Sequence, residues 1–303
     1  MYFVQTVLDA LALGSLYALV ALAIGFVFGI MRLVNFAQGD YITIGAYALI
    51  VPGTAAAPTL LFGALPIPLM MLAVVATVAI VALMTERLAF RPMRRANPTT
   101  LLVSSFAVSY FLQHLVMLVY TSRPKSLDIS HGLNTVLNFG PLRVQGTQIF
   151  SLGVCTVLLT ALLAFLRLTP MGIQMRAAAE NVQVARLVGV RANRVIAIAF
   201  AISGVLSGAV SLLFVMQTGT LDIRLGTLPV IYAFFATVIG GMGSLAGAVL
   251  GGFIVGFFGV FLQAYLPADL RPFRDAGVFI LVIVMLLAKP NGLIPNSTNR
   301  ERV

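Results

Sequence analysis

Long apolar runs separated by short polar linkers make up most of the chain. Six of them, at 6–30, 63–85, 99–120, 148–168, 195–216 and 244–266, match the roughly 20 helical residues, each rising about 1.5 Å, that cross a bilayer core about 30 Å thick. Three more, at 41–52, 229–242 and 276–288, are shorter, which predicts helices that tilt, start earlier or stop partway across. The two internal short runs fall in matching places. Run 41–52 follows a long run and the polar linker Asn35-Phe36-Ala37-Gln38-Gly39-Asp40, and run 229–242 follows a long run and a linker holding Asp222, Arg224 and Gly226. Five crossings separate the two sets, so their orientations are opposite. An inverted repeat gives this pattern, with short or broken helices marking the substrate path. Two marginal helices without internal symmetry are the plainer alternative. The expected fold is an all-α polytopic membrane protein of eight or nine transmembrane helices, a single domain over 1–303.

Composition agrees with that reading. Of 303 residues 60% are hydrophobic and 9% charged, against about 45–50% and about 25% in soluble domains, which excludes soluble enzymes and nucleic-acid binders. The net charge of +10 reports topology, because every Lys and Arg lies between or beside the apolar runs. If all nine runs cross, one set of connections holds Arg32, Arg87, Arg91, Arg94, Arg95, Arg167, Arg176, Arg186, Arg191, Arg194, Lys289, Arg300 and Arg302. The other holds Arg123, Lys125, Arg143, Arg224, Arg271 and Arg274. The richer set is expected in the cytoplasm, with the N-terminus outside and the C-terminus, including the tail 290–303, inside. The N-terminus lacks the basic stretch of a secretory signal, so the first run reads as a retained span.

Little chemistry is visible inside the runs. Apart from Asp9 and Arg167 near the ends of runs 6–30 and 148–168 they hold no acid, Lys or Arg, Asp40 sits at a run edge, and Gln113-His114 is the one ionisable cluster well inside. Carriers driven by protons or sodium need buried carboxylates or ion cages, so the energy source is expected elsewhere, and His114 reads as a helix-packing residue. The lone Cys155 permits no disulfide framework or Cys-based metal site. Neither paired carboxylates nor a metal or nucleophile motif appears, and an enzyme is not expected. Small residues recur at helix spacing at Gly243, Gly247 and Gly251, Gly252 and Gly256, Gly25 and Gly29, and Gly204 and Gly208, which suits close helix packing. The run Gly240-Gly241-Met242-Gly243-Ser244 reads as a helix break, tolerable at membrane depth where backbone lines a cavity.

The loop 169–194 differs in character. Thr169-Pro170-Met171-Gly172 breaks the preceding run, and 174–188 then predicts a short helix closed by Gly189. Arg176, Glu180 and Gln183 line one face and Ala178, Val182 and Ala185 another, an amphipathic element at the membrane surface. Docking to a cytoplasmic partner and contact with anionic lipid through Arg176, Arg186, Arg191 and Arg194 are both compatible with it.

Four blocks in order along the chain resemble branched-chain amino-acid ABC transporter permeases of the LivH kind. They are Leu33-Val34-Asn35-Phe36-Ala37-Gln38-Gly39-Asp40; Met171-Gly172-Ile173-Gln174-Met175-Arg176-Ala177-Ala178-Ala179-Glu180-Asn181 with Leu187-Val188-Gly189-Val190; Ile239 to Ala248; and Pro290-Asn291-Gly292-Leu293. Gln38 stands where the family commonly has His, a departure that puts a pH-sensitive role at that position in doubt. The resemblance implies a permease subunit of an ATP-driven importer in the bacterial inner membrane. It also implies a second, similar permease, two cytoplasmic ATPase subunits that bind the ATP, and an extracytoplasmic substrate-binding protein. In that frame Gln174, Arg176, Ala179, Glu180, Gln183, Arg186 and Gly189 are expected to couple to the ATPase. Asn35, Gln38, Gly39, Asp40, Gly240, Gly241, Gly243 and Ser244 are expected in the pathway or its gate, and Asp222, Arg224, Arg271 and Arg274 at the binding-protein face. Related permeases that carry urea, short amides or other amino acids look alike at this level. An autonomous carrier or channel, and a scaffold without transport, account for fewer of these features.

Overall fold

The computed structural model describes residues 2–53, 58–94, 96–129, 132–133, 135–139 and 142–294. Arg95, Arg300 and Arg302 of the charge tally, and the tail beyond Ile294, lie outside the described residues. Six helices are long and apolar enough to cross a membrane: α1 (Tyr2–Met31), α3 (Ile67–Thr85), α4 (Pro98–Tyr120), α5 (Gly146–Leu168), α8 (Ala192–Thr218) and α10 (Leu245–Tyr265). Each overlaps one of the six long runs. The three short runs become α2 (Gln38–Tyr47), α9 (Thr227–Gly240) and α11 (Arg274–Ala288). A π-helical turn, Glu86–Phe90, extends α3.

The loop expected as one helix over 174–188 is two, α6 (Pro170–Glu180) and α7 (Val182–Leu187). Asn181 between them is extended at φ −154°, and its Oδ1 accepts from the backbone N–H groups of Gln183 and Val184 at 2.9 and 3.1 Å. An asparagine that caps a new helix competes with continuation of the old one. Thr169 caps α6 by accepting from the Gly172 N–H at 3.0 Å, with Pro170 at the first helical position. Gly189 adopts φ +87° beyond α7, as expected of a closing glycine.

Helices α1 and α8 form the buried centre, and their partners repeat. Helix α1 packs on α9 and α10, and α8 on α2 and α3; α9 packs on α10 and α11, and α2 on α3 and α4. The exchange of α1, α2, α3, α4 for α8, α9, α10, α11 is the inverted repeat anticipated from the two short runs. The glycine series serve this packing. A Cβ on Gly252 would strike the Ala18 backbone, one on Gly251 the Ala236 carbonyl, and one on Gly204 would lie 2.8 Å from Ala79 Cα. His114 is exposed on α4, bonded to the Tyr110 carbonyl at 2.9 Å, its ring tilted against the Tyr110 ring at 3.9 Å between centroids. It makes a local helix contact.

Helix ends sort onto two faces. The end of α1, the segment after α3 and the starts of α4 and α8 meet around one cavity, and the ends of α1 and α5, α6 and the start of α10 meet around a second on the same face. At the opposite face β1 (Lys125–Ser126) pairs antiparallel with β4 (Thr220–Leu221), and β2 (Val136–Phe139) with β3 (Leu142–Gln145). Lys125 is buried there and donates to the Gly53 carbonyl at 2.7 Å.

Candidate functional site

Helices α2 and α9 are each too short to cross. Ten residues rise about 15 Å and fourteen about 21 Å. Their N-termini meet: a Cβ on Gly226, just before α9, would overlap the Gly39 carbonyl oxygen, and one on Gly39 would lie 3.0 Å from the Gly226 carbonyl oxygen. Only residues without side chains allow two backbones this close. Thr43 ties the junction, accepting from the Gly226 N–H at 3.2 Å and donating to the Gly39 carbonyl at 3.1 Å. The junction lies level with the middle of α8, where Gln38 bonds to Ser203 and Ser207. The Ser203 hydroxyl donates to Gln38 Oε1 at 2.8 Å, while Gln38 Nε2 donates to the Ser203 carbonyl at 3.4 Å and to the Ser207 hydroxyl. Asp40 is 7% exposed and accepts from the Ser109 hydroxyl of α4. Asn35 shapes the entry to α2, its Oδ1 accepting from the Ala37 N–H at 3.2 Å. Thus Asn35, Gln38, Gly39 and Asp40 form one buried polar cluster with Thr43, Ser109, Ser203, Ser207 and Gly226.

Gly240, Gly241, Gly243 and Ser244 lie apart from that cluster, at the opposite end of α9. They form the turn into α10, which Ser244 caps by accepting from the Gly247 N–H at 3.1 Å. The C-terminal block closes over it: the Leu293 and Ile294 N–H groups each donate at 2.9 Å, to the Ile239 and Gly240 carbonyls. Gly241, at φ +108°, leaves room for the Ile294 carbonyl. A cavity of about 290 Å³ joins this turn to the α6 loop, lined by Gly25, Gly29, Arg176, Ala179, Glu180, Gly243 and Ser244. Arg176, Glu180, Gln183 and Arg186 are exposed, Gln174 is half-buried, and Met175, Ala178 and Ala185 face inward.

A chain of crossing helices with two broken ones meeting head to head, and an ordered amphipathic loop at one face, is the architecture of a transport permease. The family described as "Branched-chain amino acid transport system / permease component" matches residues 6–289. The chain belongs to this permease family. It is 34% identical to the high-affinity branched-chain amino acid transport system permease protein BraD of Pseudomonas aeruginosa, over 97% of this chain and 96% of that one. With the corresponding permease protein LivH of Escherichia coli K12 it shares 30% identity over the same shares of each chain. Among solved structures it is similar to PsaBC from Streptococcus pneumoniae in complex with Fab, at 14% identity and a TM-score of 0.47, over 98% of this chain and 94% of that one.

At the opposite face of the permease the four expected docking residues differ. Asp222 Oδ1 accepts from the Arg224 N–H at 2.7 Å and shapes the turn before α9. Arg224 and Arg271 are exposed, and Arg271 lines a cavity with Gln5, Asp9, Gln148 and Gln217. Arg274 is committed within the chain, to Asp275 Oδ1 at 3.0 Å and Gln263 Oε1 at 2.5 Å, while the Tyr232 hydroxyl of α9 donates to Asp275 at 2.5 Å. Sequence reading passed over Gly226, Thr43 and the α8 serines as site residues. The fourfold spacing of Ser203, Ser207 and Ser211 beside Gly204 and Gly208 was their available signal.

Proposed function

We propose that the chain forms half of the pathway of an ATP-driven importer of branched-chain amino acids, beside a second, similar permease. Two cytoplasmic ATPase subunits bind and hydrolyse the ATP, and an extracytoplasmic binding protein delivers the substrate. The observation that carries this reading is the meeting of α2 and α9 at Gly39 and Gly226 within a buried polar cluster. Broken helices at a repeat interface offer polar backbone and side chains at membrane depth without a lipid-exposed break. A zwitterion in transit meets Gln38, Asp40 and Thr43 there and is held loosely, since tight recognition belongs to the binding protein.

The α6–α7 loop is the ATPase contact. Closure of the ATPase pair moves Arg176 and Glu180, and the cavity they share with Gly243 and Ser244 passes that displacement to the turn below α9. A tilt of α9 then separates Gly226 from Gly39. The face bearing this loop is cytoplasmic, as its excess of Arg requires, and Arg224 and Arg271 meet the binding protein at the other. Arg274 acts through Asp275 and Tyr232 on the position of α9.

Affinity purification from the native membrane in mild detergent, followed by mass spectrometry, tests the assembly. Two ATPase subunits and a second permease are expected. Recovery of this chain alone, moving solute in liposomes without ATP, would overturn the proposal.

A further inference from the structure

Five guanidinium groups from three segments converge on one cavity of about 1140 Å³ beside the α6–α7 loop. Arg91 and Arg94 follow the π-helical turn, Arg186 belongs to α7, and Arg191 and Arg194 open α8, with Ile30, Leu101 and Ile196 as apolar wall. Arg94 is paired with buried Glu86 and donates to Asn193 Oδ1 at 2.5 Å, yet its Nε is buried without a partner. Among the described residues Arg91, Arg186, Arg191 and Arg194 have no carboxylate partner. Burial and the facing Arg186 charge both push the Arg94 pKa below the usual guanidinium value. Helix α8 adds to the imbalance: no side chain caps its N-terminus and its first turn holds no acid. Basic residues are disfavoured at that positive end, where anions are favoured.

Orientation in the membrane asks only that basic residues lie on this side. It does not ask that five gather around one cavity with a single carboxylate among them. We propose that the cavity binds a phosphate-bearing anion, seated between Arg94, Arg186, Arg191 and Arg194 at the N-terminus of α8. Planar guanidinium forks match phosphate oxygens in pairs, and a multiply charged anion relieves the mutual repulsion of the arginines. An anionic phospholipid headgroup and a soluble phosphate compound present the same chemistry. The site is independent of which solute the permease carries.

The test uses the full chain in nanodiscs of neutral phosphatidylcholine, in chloride buffer at constant ionic strength, with thermal unfolding as readout. Pyrophosphate, or replacement of part of the lipid by phosphatidylglycerol, is expected to raise the unfolding temperature by several degrees. A shift with pyrophosphate assigns a soluble phosphate, and a shift with phosphatidylglycerol alone assigns a headgroup; either supports the proposal. The double variant Arg191→Gln/Arg194→Gln is expected to bind pyrophosphate or phosphatidylglycerol at least about tenfold more weakly. Without anion it should unfold at or above the wild-type temperature, because repulsion has been removed, whereas Arg123→Gln at the far face should behave as wild type. No shift of the wild type with either anion, or an equal shift in the double variant, overturns the proposal. A shift abolished by bound ATPase subunits also overturns it, since the cavity would then be their docking surface. The wild-type titration decides even if a variant fails to fold.

Discussion

Gln38 shows how one side chain can organise a site inside an apolar protein. It is fully buried, and its amide bonds to both Ser203 and Ser207 across the α2–α8 contact. Buried polar groups are costly when unpaired, and the mutual satisfaction of this set fixes the start of α2 against the middle of α8. Gln38→Leu should lower stability by about 1–2 kcal/mol, read from denaturant unfolding in detergent; an unchanged midpoint would remove the amide from this role. Membership of the buried polar cluster was legible where polarity broke an apolar background, as at Asn35, Gln38 and Asp40. Thr43 and the α8 serines were not legible because a hydroxyl can bond to its own helix carbonyl, so its presence in a span does not reveal a distant partner.

At the scale of elements, hydropathy found each of the six helices that, among the described residues, are long and apolar enough to cross, because a span of about 30 Å needs a fixed length of apolar sequence. Head-to-head contact of α2 and α9 is a different kind of fact: each run reports its own burial, and nothing in either specifies the approach of Gly39 to Gly226. The same limit placed the second break at Gly240–Ser244, where glycines are dense, although the residue that matches the start of α2 is Gly226. The break at Asn181 had its own signal in the sequence, since asparagine is among the residues preferred at a helix N-cap. Asn181→Ala should cost α7 about 1 kcal/mol of local stability, seen as faster amide exchange across Val182–Leu187 with the crossing helices unchanged. Exchange equal to wild type would mean that packing alone holds α7. For the loop as a coupling element, Glu180→Arg should leave the chain inserted but reduce uptake severely; unchanged uptake and ATPase co-purification would sink that assignment.

For the whole molecule, the repeat explains why the partners of α1 and α8 correspond and why the connections sort onto two faces. Cys155 is buried, so the natural chain gives a low background for impermeant thiol reagents. Lys125 is itself buried, and exposed Arg123 is the better position for an added cysteine. Arg123→Cys should react from outside intact cells and Arg87→Cys only after permeabilisation; the reverse would invert the orientation. The fold class and the family blocks were legible because composition and motif act along the chain. The cavity shared by Arg176, Glu180, Gly243 and Ser244 appears only once α6 folds back against α5 and α1.

The most direct test of the account is uptake of radiolabelled leucine into proteoliposomes. They would hold this chain with the second permease and the ATPase subunits, with the binding protein added outside and ATP enclosed. Wild type should import leucine only with ATP. Gly226→Val, which forces a side chain into the Gly39 backbone, should co-purify with the same partners yet transport at least about tenfold more slowly, a change of about 1.4 kcal/mol in barrier. A Gly226→Val assembly that imports at the wild-type rate, or wild-type uptake that needs no ATP, would contradict the account.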